Sequence, residues 1–321
     1  MRVVSPPDVT GSLMPALRAE PAVMNLTLLS AAASNPNGDA VHFDVLNGSA
    51  DDLIGRMRGL GVEQRGSIVM ENIDTSISAI ADRVASRRGR FQQFTPVWAE
   101  IEARITTEGT FPPSWFALLV IAGLIGAVGI LTNSQILIVG AMVVGPEYGA
   151  ILSLAFGAVC RDASRAAHSA AALVIGFTFA VAAALLLALI IRWAGLAPKA
   201  YLVGIRPVSN LINTPNWFSF IVAALAGVVG VVSLTEARAS TLIGVFISVT
   251  TIPAAADAGV SLAFSSWREA RGSVLQLLLN IAVLIVVGAA GLSTQRMIWR
   301  RRTARPPGPS PGQVSSTGSG V

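Results

Sequence analysis

From Trp115 onward the chain carries a succession of apolar runs, several approaching or exceeding 18 residues. A helix of roughly 20 apolar residues crosses a hydrocarbon core about 30 Å thick. Inside lipid, only helices and closed barrels satisfy every backbone N–H and C=O. The sequence of 321 residues is 53% hydrophobic and only 13% charged, against roughly 25% charged for an average soluble domain. The deficit is concentrated: residues 1–110 read as ordinary soluble protein, whereas 114–294 are mostly Ala, Val, Leu, Ile and Gly. The expected fold class is therefore an α-helical polytopic membrane protein. Six spans are expected at about 115–132, 135–159, 169–193, 217–234, 239–264 and 273–294.

Residues 1–75 show short alternating signals. Arg2-Val3-Val4 reads as a strand, Val9 to Ala19 as a helix and Val23 to Leu29 as a strand. The turn signal Asn35-Pro36-Asn37-Gly38-Asp39 precedes alternating Val41, Phe43 and Val45, a hairpin pattern. Ala50 to Leu60 is expected as a helix with Asp51 and Asp52 in its first turn, where the helix dipole favours negative charge. Ser67 to Met70 closes a β-α-β-β-α-β order, that of an α+β ferredoxin-like domain. Residues 76–113 read as a helical linker with a basic cluster at Arg83, Arg87, Arg88 and Arg90. The tail, 296–321, is basic and then rich in Pro, Gly and Ser, a disordered composition.

The membrane domain, 114–295, contains an internal repeat, 115–193 and 217–294. Trp115-Phe116 and Trp217-Phe218 open the two halves, and each then carries a G-x-x-G pair, Gly126/Gly129 and Gly227/Gly230. A second span with a central proline follows, Pro146 or Pro253, ending in LSLAF (152–156) or VSLAF (260–264). A charged loop and an uninterrupted third span complete each half. If all three spans of each half cross fully, the second repeat is inverted relative to the first; a re-entrant second or fifth span would remove that requirement. With the N-terminus and C-terminus in the cytoplasm, the cationic residues 83–104, Arg161, Arg165, Arg238 and 300–305 fall inside. Arg192, Lys199, Arg206, Arg268 and Arg271 fall outside. Met1–Val4 does not read as the start of a signal peptide, so the leading domain is expected to remain in the cytoplasm and the spans to lie in the inner (plasma) membrane.

The two interrupted spans hold the candidate site. Pro146 lacks an N–H, and Gly145 and Gly149 weaken the helix on either side. Glu147 sits in this break. In the fifth span Thr250, Thr251 and Pro253 form the matching break, and Asp257 supplies the carboxylate. Ionisable groups are expensive in a span and turn toward protein or a cavity. Paired broken helices at matching positions in two repeats point to a transporter-type site, because unwound backbone and half-helix ends coordinate ions and substrates. Asn280 in the sixth span is a further candidate to line a cavity, with a helix–helix hydrogen bond as its other reading. Trp115, Trp193 and Trp217 read as interfacial anchors.

At these residues the chain resembles the domain-of-unknown-function 389 family of uncharacterised bacterial membrane proteins. The resemblance lies in ILIVGAMVVGPEYGAILSLAFGAV (136–159) and LIGVFISVTTIPAAADAGVSLAF (242–264). It departs from the family at Ala150 and at Pro253-Ala254, where members often carry proline and Pro-Pro. The resemblance implies a multi-span inner-membrane protein and no defined substrate.

Neither a nucleophile–base pair nor metal-ligand spacing is visible in the sequence, so an enzyme is not expected, nor a bound cofactor or metal. The single Cys160 excludes an internal disulfide, and only His42 and His168 are available for a histidine centre. The net charge of +5 flanks the spans and does not imply nucleic acid. The partners expected are the lipid bilayer, a small solute or ion and, through the packing glycines, a second copy in a homo-oligomer. The favoured function is a secondary transporter or ion-coupled carrier. The alternatives are a channel and a membrane-anchored sensor or scaffold acting through the N-terminal domain.

Overall fold

The computed structural model describes residues 1–71, 97–235 and 250–303. The expected basic connector between 76 and 90, the first part of the fifth span and the end of the tail lie outside the described residues.

The chain begins with β1 (Arg2–Ser5), α1 (Pro7–Ala19), β2 (Val23–Ser34), β3 (Asn37–Val45), α2 (Asn47–Gly59), α3 (Val62–Arg65) and β4 (Ser67–Val69). The sheet order is β2-β3-β1-β4 with every pair antiparallel. Pro7 opens α1, where the missing N–H costs nothing. The periodic residues Val9, Leu13 and Leu17 of α1 and Ala50, Leu53 and Met57 of α2 pack on Val3, Val41 and Phe43 in a single core. β2 runs past the expected Leu29 to Ser34, because Asp39 Oδ1 accepts the Ala31 N–H (2.8 Å) where the ladder shifts register. The helix α2 starts at Asn47 rather than Ala50, so Asp51 and Asp52 lie beyond its first turn.

The Asp51 carboxylate instead caps α4 (Trp98–Glu108), accepting the N–H groups of Trp98 (2.9 Å) and Ala99 (3.2 Å). The apolar helices follow: α5 (Pro113–Leu131), α6 (Gln135–Val144), α7 (Glu147–Cys160) and α8 (Ala163–Trp193). The short α9 (Lys199–Leu202) and α10 (Pro207–Ile212) precede α11 (Trp217–Thr235), α12 (Thr251–Ala263) and α13 (Trp267–Thr303). Among the described residues, α5, α8 and residues 267–297 of α13 are long and apolar enough to cross a membrane. The α6–α7 pair, bent by 50°, makes a fourth if it is one crossing, and α11 is a shorter apolar helix. Helix α13 continues through Thr303, into the stretch expected as disordered tail.

Hydrogen bonds define two ends of the bundle. At one end Arg165 reaches Thr106 (3.0 Å) and Arg296 reaches the Val159 carbonyl (2.6 Å). At the other, Asn133 bonds the Ile205 carbonyl (3.2 Å), Arg206 bonds Ser266 (2.9 Å) and Arg192 donates to the Ala263 carbonyl. Close helix contacts rest on small residues: a Cβ on Gly126 would lie 2.9 Å from Ala256, and one on Gly259 would lie 2.6 Å from the Val181 carbonyl. Trp193 and Trp217 are exposed, whereas Trp115, expected as an interfacial anchor, is buried.

Candidate functional site

The break between α6 and α7 follows from Pro146. A residue before proline is driven out of the helical region, and Gly145 is extended (φ −70°, ψ 127°). The helix α6 therefore stops at Val144 and α7 restarts at Glu147, which occupies its first turn. The Pro146 carbonyl accepts the Trp115 indole N–H at 3.1 Å. That bond explains why Trp115 is buried rather than at an interface: its polar edge is spent on the unwound backbone.

Glu147 is buried, at 5% exposure. Its Oε1 accepts the Thr251 hydroxyl at 2.6 Å, while Oε2 has no hydrogen-bond partner among the described residues. Gly145 is needed here, since a Cβ would collide with the Glu147 carboxylate and lie 2.8 Å from Ile252. Thr251 is the first residue of α12, so two helix N-termini converge on one carboxylate, which their dipoles stabilise. From this common start α7 runs to the end that carries Arg165 and Arg296, and α12 runs to the end that carries Arg206.

Pro253 does not break α12. It lies in the first turn, where proline is tolerated, and the non-helical residue is Thr250 (φ −81°, ψ 48°). Thr250 Oγ1 accepts the Asn280 side-chain N–H at 3.0 Å, and Asn280 Oδ1 accepts from Gln276 at 3.1 Å. Asn280 thus makes a hydrogen bond from α13 to the start of α12, as a helix–helix hydrogen bond requires. The structure brings Glu147, Thr250, Thr251 and Asn280 together and adds Gln276. Gly149 is placed elsewhere, against α4: its Cβ would lie 3.2 Å from the Glu108 Cβ.

Asp257 is not part of this cluster. It is fully buried six residues beyond Thr251, about 9 Å along the helix at 1.5 Å per residue. Its Oδ2 accepts the Ser273 hydroxyl at 2.5 Å, and the Ser209 hydroxyl of α10 also lies beside the carboxyl. Beyond it, Arg206 pairs with Glu269 at 2.7 Å and lies 4.2 Å over the Tyr201 ring. Glu147 and Asp257 are therefore two separate buried carboxyls, one where α7 meets the start of α12 and the other where α12 faces α13.

Sequence reading passed over Ser273, Gln276 and Glu269. With Asn280 they stand at steps of four, three and four residues on α13, one helical face, and Ser273, Gln276 and Asn280 are buried. That spacing is the signal that could have found them. Glu108 was also missed. It ends α4 beside Tyr148 and Gly149, 3.5 Å from Arg104, and burial holds its carboxyl above the usual carboxylate range.

Apolar helices with one bent pair, packed around a buried polar seam, define a helical membrane protein. Residues 142–286 match the family model described as Domain of unknown function (DUF389), the family that the chain's motifs resemble. Neither a curated protein nor a solved structure gives a significant match.

Proposed function

We propose that the chain is an ion-coupled membrane carrier whose site lies where α7 and α12 begin, with Glu147 as its ionisable group. The observation that carries this reading is the Glu147–Thr251 contact: a buried carboxylate, one oxygen of which is unpartnered among the described residues, held between two helix N-termini inside an apolar bundle. Acidic side chains in such surroundings are costly, and they persist where they bind or move ions. Inverted repeats are part of the proposal. They are supported by α7 and α12, which start side by side and run to opposite ends, and by the matching pairs α5–α8 and α11–α13. Six crossings follow if residues 236–249 complete the fifth span.

A ligand that binds the folded protein raises its apparent stability. The reading is tested by melting the purified protein in Na⁺, in K⁺ and in an organic cation at constant ionic strength, at several pH values. A response to one of these ions or to pH that disappears in Glu147→Gln is expected. Identical responses in the two proteins would overturn the assignment of Glu147.

A second reading, a sensor acting through the N-terminal domain, is favoured by α4. Its first residues are held by Asp51 of that domain, and its last lies against Gly149 of α7. This path suits regulation of the carrier by the soluble domain as well as sensing alone.

A further inference from the structure

Asp257 lies apart from the Glu147 contact, and the residues around it form a second polar group that the carrier reading does not use. On α12, Ser261 stands one turn beyond Asp257 on the same face. On α13, Ser273 donates to Asp257 Oδ2 at 2.5 Å. On α10, the Ser209 hydroxyl lies beside the same carboxyl. Tyr201 of α9 is close enough to interact with the Asp257 charge, and its hydroxyl is next to Ser261. One carboxyl and four hydroxyls from four helices thus come together, every one of these residues at 0% exposure.

Burying a polar group costs free energy unless it finds a partner. Tyr201 Oη and Ser261 Oγ lie side by side, yet neither makes a well-formed hydrogen bond to a described residue. A hydroxyl oxygen carries two lone pairs, so Ser273 donates to the carboxylate and still has electrons to offer a cation. The donor set is all oxygen, the set that hard cations take. Charge then fixes the valence. Among the described residues, the charged groups acting on Asp257 are Glu269 of α13 and Arg206, and these two pair with each other at 2.7 Å. With Asp257 ionised, the three groups carry one net negative charge. A monovalent cation closes that balance. A divalent one leaves a charge uncompensated in an apolar bundle, where desolvation makes it costly.

We infer that Asp257, with Ser209, Ser261, Ser273 and Tyr201, binds a dehydrated alkali cation at a site separate from Glu147. The ion enters from the end of the bundle that carries Arg206 and Glu269, both partly exposed to water. Packing holds the oxygen donors in place. A Cβ on Gly272 would collide with the Asn213 carbonyl, which seats the end of α10 on α13. Arg206 bonds Ser266 (2.9 Å) and the Tyr201 carbonyl (3.0 Å), which seats α9 at the end of α12. A bound ion would tie the α9–α10 segment to both long helices.

The inference does not rest on the carrier reading, and one set of variants separates the two. Purified full-length protein is melted in Na⁺, in K⁺ and in Mg²⁺, each against N-methylglucamine at constant ionic strength, since a cation that binds the folded state raises its melting temperature. A saturable rise with Na⁺ or K⁺ is expected in the wild-type protein and in Glu147→Gln, and its loss in Asp257→Asn. Ser209→Ala and Ser261→Ala keep the carboxyl and are expected to raise the half-saturating concentration severalfold. Absence of any alkali-cation rise, a rise that survives Asp257→Asn, or an equal rise with Mg²⁺ overturns the site. So does an unchanged half-saturation in both serine variants, which would leave their hydroxyls a packing role alone. If the alkali response is instead lost only in Glu147→Gln, this site falls and the carrier reading stands. If it is lost in Asp257→Asn while Glu147→Gln alters no response to any ion or to pH, the Glu147 assignment falls and this site stands.

Discussion

Glu147 owes its position to its neighbours in sequence and its environment to residues more than a hundred positions away. Pro146 and Gly145 end one helix, so the carboxylate begins the next; among the described residues Thr251 supplies the hydroxyl that reaches it. Replacing Thr251 with Val preserves shape and removes that donor. Leaving a buried acceptor without its partner costs about 1–3 kcal/mol, so the melting temperature of Thr251→Val is expected to fall, and the loss should shrink when Glu147→Gln is also present. Equal losses in both backgrounds would show that the bond has no energetic weight. Glu147 was legible in the sequence because an acid beside proline in an apolar run is conspicuous. Gln276 and Ser273 were not, because uncharged polar residues are tolerated in spans for helix packing and only the partner helix shows which of them share a seam. Asp257 was legible as a buried acid, but its separation from Glu147 depends on α12 starting at Thr251, which the proline at 253 obscured.

At the scale of elements, α4 joins the two halves of the molecule. Its apolar face (Trp98, Ile101 and Ile105) packs in the membrane-domain core, with Trp98 stacked on Phe156 at a ring separation of 5.7 Å. The four-residue spacing of Ile101 and Ile105 made this helix readable. Its anchoring by Asp51 was not, since that bond links residues 47 positions apart. The far end of α4 carries a pH-dependent term. Burial raises the Glu108 titration above its ordinary 4.5, opposed by Arg104. The folded state therefore binds the proton more tightly than the unfolded chain does. The sign follows: the contribution from Glu108 is fully present below 4.5 and is lost as pH rises through the raised folded value. Glu108→Gln is expected to flatten the fall in melting temperature over this interval. Parallel pH profiles for the two proteins would place the titration elsewhere.

Taken whole, the described residues form a small antiparallel α+β domain, tied through α4 to a bundle of apolar helices. Hydrophobic run length made the membrane class legible, and alternation with turn residues made the strand order of the leading domain legible. Run length alone could not show that α12 is short within the described residues, nor that the α6–α7 pair bends by 50°. Such details are set by backbone hydrogen bonding and by contacts between glycines and facing helices, which periodicity does not encode. The geometry of α7 and α12, with a shared start and opposite directions, ties the proposed repeat to the proposed ion site at Glu147.

The most direct test of that site is charge movement across the reconstituted protein on a solid-supported membrane after concentration steps of Na⁺, K⁺ or protons. The account predicts a transient current for one of these ions in the wild-type protein and its loss in Glu147→Gln, with both proteins inserting and eluting alike. Equal currents in the two proteins, or no current from the wild type with any of these ions, would contradict it.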